Sequence, residues 1–131
     1  QVPLGFELSS HPKVRLLQGD FFAWARGEEP PGSKAAARYD VILLDIDHSS
    51  EFLLQPTHES LYSVDGIRAL ARRLGPGGTF AYWSSDVNEK GLAELLRRVF
   101  PVVEEHVVEF YNHGRLEYDL NTVVTARLAI V

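Results

Sequence analysis

Apolar residues along this chain fall into two alternating patterns, short unbroken runs and stretches with helical spacing. Tyr39 to Ser50 reads Tyr-Asp-Val-Ile-Leu-Leu-Asp-Ile-Asp-His-Ser-Ser. Its apolar run, Val41 to Leu44, is rich in branched residues, which predicts a strand buried on both faces of a parallel sheet. Val14 to Gln18 is a shorter run of the same kind, ended by Gly19 and Asp20, and Thr79 to Trp83 is a third. Helical spacing lies between them. Asp20 is placed to cap a helix from Phe21 to about Arg26, with Phe21, Phe22, Trp24 and Ala25 toward a sheet. Ser63 is placed to cap a second, with Asp65 in its first turn and Ile67, Leu70, Ala71 and Leu74 forming one apolar stripe.

Gly75-Pro76-Gly77-Gly78 predicts the stop of that helix and a turn into the Thr79 strand. Asp86 and Glu89 form a capping-box pattern for a third helix, with Leu92, Leu95, Leu96 and Val99 on its inner face. Val102 to Tyr111 and Thr122 to Ile130 then predict two strands around a polar turn, hence an antiparallel hairpin. Phe6, Glu7 and Leu8 suggest the tail of a helix before the turn at Ser9 to Pro12, and Gly27 to Ala37 predicts a surface connection. The resulting order is strand, helix, strand, helix, strand, helix, strand, strand. It implies an α/β fold, a mostly parallel three-layer sheet finished by an antiparallel hairpin.

Charge appears where the Val41 strand ends. In open α/β sheets ligands bind beyond the carboxyl ends of the strands, which makes Asp45, Asp47 and His48 candidates for chemistry. Any one acid there has an equally good reading as a cap, but three ionisable groups in four positions favour a site. The irregular stretch from Ser49 to Tyr62, carrying Pro56, His58 and Glu59, is long for a structureless connection and is a candidate lid.

Composition narrows the partners. With 131 residues the chain suits one domain, and 45% hydrophobic with 24% charged residues is ordinary globular composition. A formal charge of −5 without a basic block argues against a nucleic-acid surface. No run approaches membrane-spanning length, so no membrane partner is expected. Cysteine is absent, which removes disulfides and thiolate metal sites. Methionine is absent even at position 1, so a processed chain or a piece of a longer one is expected.

Four stretches resemble a known family in order and spacing: Gln18-Gly19-Asp20-Phe21-Phe22, Tyr39 to Asp45, Leu61-Tyr62-Ser63, and Leu74 to Ala81. Together they look like the second half of a class I S-adenosylmethionine-dependent methyltransferase fold, and within that superfamily they are most similar to spermidine synthase-like proteins. The resemblance implies a Rossmann-like domain lacking its first two strands and its glycine-rich loop, since no Gly-x-Gly-x-x-Gly occurs. It implies a donor of the S-adenosylmethionine or decarboxylated S-adenosylmethionine type and a small-molecule amine acceptor, with aminopropyl or methyl transfer in the intact parent. Asp20 and Phe21 would hold adenine, and Asp45 would face the sulfonium. The aminopropyltransferases place their general-base Asp three residues after that acid; here that position is His48, one after Asp47, so either group is a candidate base. Trp83, at the end of its strand, would offer the cation an aromatic face. Without the first two strands, the Val14 strand must pair with the Val41 strand, detach or find a partner in another chain; hence a homodimer or a rearranged sheet is expected. A cytoplasmic location is expected with it.

Three other readings remain open. Val41 to Asp47 also fits the apolar run and Asp-x-Asp of a haloacid-dehalogenase-type phosphatase, with Asp45 as nucleophile and Asp47 as acid/base around Mg²⁺, though the strand comes late for that fold. Asp45, Asp47, His48 and His58 contain the donor types of a metal site, but at irregular spacing, so no metal is expected and loop histidines in solvent are the simpler reading. Finally, Phe21, Phe22, Trp24, Tyr82 and Trp83 suit a plain core, as in a non-catalytic assembly module.

Overall fold

A computed structural model describes residues 9–32 and 37–130. The expected helix tail at Phe6 to Leu8 lies outside the described residues, as does Ser33 of the surface connection. The elements are α1 (Phe21–Arg26), β1 (Tyr39–Leu44), a 3-10 turn (Pro56–Ser60), α2 (Val64–Ala71), β2 (Leu74–Ser84), α3 (Lys90–Arg97), β3 (Val102–Asn112) and β4 (Glu117–Arg127). Strand order is β1-β2-β4-β3, with β1 and β2 parallel and the other neighbours antiparallel. This is the expected α/β arrangement, with its parallel part confined to one strand pair among the described residues.

Local chemistry explains the helices. The Asp20 carboxylate accepts from Phe22 N and Ala23 N at the start of α1, and Ser63 Oγ accepts from Gly66 N at the start of α2. Gly27, at φ 119°, closes α1 in the left-handed region. The third cap differs from expectation. Glu89 is the residue before α3, but its side chain makes no cap bond; Asp86 instead turns back to accept from Asn88 N.

One core holds the molecule together. Ile42 and Leu44 of β1, Phe80 and Tyr82 of β2, and Val124 and Ala126 of β4 point to one face, where they meet Phe22 and Ala25 of α1, Ile67 and Leu70 of α2, and Leu92 and Leu96 of α3. All three helices therefore cover the same face. The described residues build two layers where three were expected, because none supplies a helix to the face carrying Val41 and Leu43. Those two residues are 52% and 75% exposed, so β1 is an edge strand buried on one face and not on both. Val14 to Gln18 is not a strand. It runs exposed and unpaired with β1, though Leu17 lines a cleft with Tyr39, Val41 and Ile42 and the Arg15 side chain bonds Gly32 O. The Gly75–Gly78 turn is absorbed into β2, with the register slip between Tyr39 and Val41 taking up the irregularity. No helix of the described residues is long and apolar enough to cross a membrane.

Candidate functional site

The carboxyl ends of β1 and β2 lie side by side, Leu44 opposite Tyr82, so the loops that follow them start from one level of the sheet. Asp45 is the first residue beyond β1 and is exposed. Asp47, two residues on, goes the other way. Its side chain is 0% exposed, and its oxygens accept from Leu54 N (2.8 Å), from His58 Nδ1 (2.8 Å) and from the Tyr62 hydroxyl (2.9 Å). His58 is held from behind by Phe22, the two rings stacked 3.8 Å apart at 15°. It is thus an internal residue joining α1 to the loop, not the solvated histidine expected. Tyr62 also meets the Tyr82 hydroxyl at 3.5 Å.

This network is electrostatically demanding. Burial pushes the Tyr82 phenol up to about 12; the hydrogen bond with Tyr62 opposes this, and the negative charges of Glu89, Asp47 and Asp45 add to it. Burial raises Tyr62 further, reinforced by Tyr82 and Asp47. Three carboxylates therefore bear on one hydroxyl at this end of the sheet. Such a field disfavours an anion and favours a cation.

The two loops are welded together. The His48 carbonyl accepts from Ser85 N (2.9 Å), Ser85 Oγ (2.8 Å) and Ser84 Oγ (3.3 Å). Buried Glu89 accepts from Ser50 N at 3.1 Å and from Ser50 Oγ at 2.5 Å. Between the loops opens a cleft of about 350 Å³ lined by His48, Ser49, Phe52, Ser85, Asp86 and Val87. The His48 side chain is exposed at this cleft.

A second cleft, about 290 Å³, lies along the β1 edge. Gly19, Asp20, Phe21, Trp24, Pro30 and Tyr39 are among its lining residues. Phe21 packs on Trp24 and Trp24 on Tyr39, with ring centroids 5.3 and 5.5 Å apart, so the aromatic wall is continuous. Arg73 braces it from behind, its guanidinium 5.0 Å from the Trp24 ring and hydrogen-bonded to Trp24 O and Glu29.

The predicted residues are thus divided. Asp20 and Phe21 share the β1-edge cleft, His48 lines the cleft between the loops, and Asp47 is sealed within the core. Asp45 follows Leu44 just beyond β1 and Trp83 follows Tyr82 near the end of β2, where it is still paired with Val123, but neither lines a cleft. Trp83 is half-buried, and turning over the Asn121 amide would let its indole N–H donate to the Asn121 oxygen at 3.2 Å. Sequence reading had His58 only as a lid or metal candidate, Tyr62 only in a motif and Glu89 only as a helix cap; it joined neither His58 nor Tyr62 to Asp47, nor Glu89 to Ser50. That stretch is folded around Asp47 and is not an open lid. Among the described residues no group of three or more His, Asp or Glu could hold a metal ion, and Asp45 is exposed while Asp47 is buried with its oxygens taken, which does not suit a phosphatase pair.

The arrangement of strands and helices is a methyltransferase-like α/β fold. The crystal structure of human methyltransferase-like protein 13 in complex with SAH is similar over 95% of this chain, with a TM-score of 0.59 and 22% sequence identity. This chain covers 53% of that one, about half its length. No family model and no curated protein matches the sequence.

Proposed function

We infer that the chain belongs to a transferase that takes a group from an S-adenosylmethionine-type donor and passes it to an amine. The observation that carries this reading is the β1-edge cleft, which sets a carboxylate, Asp20, beside a wall of aromatic rings. Adenine is a flat ring system with an exocyclic amine, and that combination of stacking surface and acceptor fits it. At about 290 Å³ the cleft is at the small end for ligand sites, roughly 300–1,000 Å³, and suits the adenosine part of the donor. The SAH bound by the similar structure is a ligand of the same type.

The donor supplies an electrophilic carbon next to a cationic sulfur. Asp45, exposed at the end of β1, would give that cation a negative charge, and Trp83 near the end of the neighbouring strand would give it an aromatic face. His48, exposed at the cleft between the loops, is the base that takes the proton from the acceptor amine. Asp47 is then a positioning residue, since its oxygens are already occupied and no solvent reaches its side chain. Choice between aminopropyl and methyl transfer follows the donor.

Calorimetric titration with methylthioadenosine and S-adenosylhomocysteine tests the reading. Binding of either is expected, with the tighter ligand indicating the group moved. Asp20→Asn keeps the α1 cap, because Asn caps as well as Asp, but removes the charge facing the amine; it should weaken binding about tenfold. A folded chain that binds neither ligand overturns the assignment and leaves a non-catalytic module.

A further inference from the structure

We propose that the cleft between the two loops selects a single amine carried on an apolar body, not a diamine. The inference rests on the transferase reading above and names the acceptor that reading leaves open. The lining is amphiphilic in an ordered way. His48, Ser49, Ser85 and Asp86 supply its polar part, and Asp86 is its only carboxylate. Phe52 and Val87, one from each loop, supply the apolar part while remaining 70% and 52% exposed. A large aromatic side chain left in water at the rim of a cleft gains by covering itself with a ligand.

The charge arrangement decides between acceptors. A diamine needs a carboxylate for each ammonium, at both ends of its site. This cleft has one, and no Lys or Arg lines it to repel the first ammonium. The apolar lining, Phe52 and Val87, offers a second ammonium no partner, and against it that group would lose its water without compensation. An alkyl or aryl body meets no such penalty. Because five hydrogen bonds hold the loops together through the His48 carbonyl and Glu89, the spacing of these walls is set before the ligand arrives.

The test uses hexylamine, 1,4-diaminobutane and hexanol as probes, titrated with methylthioadenosine present and absent, in the unaltered chain and in Phe52→Ala and Asp86→Asn. Hexylamine is expected to bind about tenfold or more tightly than 1,4-diaminobutane. Phe52→Ala should erase that preference, Asp86→Asn should erase the preference for hexylamine over hexanol, and neither should alter methylthioadenosine binding. Equal or tighter binding of 1,4-diaminobutane, an unaffected Phe52→Ala variant, or no amine binding would each overturn the proposal. Failure of methylthioadenosine to bind, with the amine preferences intact, would instead count against the donor site alone.

Discussion

Removing the Asp47 carboxylate leaves Leu54 N, His58 Nδ1 and the Tyr62 hydroxyl without their acceptor in a place water does not reach. An unpaired buried donor costs about 1–3 kcal/mol, so Asp47→Ala should lose about 3 kcal/mol or more in urea unfolding. Asp47→Asn keeps one acceptor oxygen and should lose less. If both variants unfold like the parent, the network does not hold the loop. A second prediction concerns the neighbouring phenol. Burial keeps Tyr82 neutral up to about 12, whereas the unfolded chain ionises near 10.0. The folded state thus binds its proton more tightly, and the stability this contributes is complete below pH 10 and lost as the pH rises toward 12. Thermal melts between pH 9 and 12 should fall more steeply for the parent than for Tyr82→Phe. Parallel curves would show that the hydroxyl is not held in this way.

At the scale of elements, what was legible followed how far the decisive contact lies along the chain. Asp20 and Ser63 cap helices that begin at the next residue, and both caps are as expected. The hairpin of β3 and β4 was legible for the same reason, since a short polar turn joins its strands. Val14 to Gln18 has a strand's composition but no strand beside it, and an apolar run cannot say whether a partner exists. The Ser49–Tyr62 stretch was opaque because its organisers are distant: Phe22 stacks on His58 from 36 positions upstream, and Glu89 reaches Ser50 from 39 downstream. Gly66 was equally silent. A Cβ there would stand 2.2 Å from Ser60 O and 2.6 Å from Leu61 O, backbone atoms that cannot swing aside. Alanine favours a helix over glycine by about 1 kcal/mol, but this overlap should outweigh it and make Gly66→Ala about 2 kcal/mol less stable. A Gly66→Ala protein as stable as its parent in urea would show that α2 shifts to make room.

For the molecule as a whole, the consequence of a one-sided sheet is an uncovered surface. Helices bury one face, and the other presents Val41 and Leu43 beside an edge strand whose outer backbone groups have no partner strand among the described residues. Leu16 and Leu17 are exposed as well, and Leu17 lines the cleft beside Val41. An open edge with apolar flanks is the surface on which strands of two molecules join. A two-fold axis normal to the sheet at β1 would pair that strand with its own copy, antiparallel, and make two four-stranded sheets continuous, in competition with a donor in the cleft lined by Tyr39, Val41 and Ile42. We propose this edge for the homodimer expected from the sequence. Sedimentation velocity should then report twice the 14.7 kDa chain mass. Leu43→Lys sets like charges near one another across the axis and places an ammonium on the apolar face, so it should return a monomer without loss of the helical core. A parent chain that sediments as a monomer at all concentrations, or a Leu43→Lys variant that remains dimeric, would move the interface away from β1 and leave the edge strand to be protected by its own twist and length.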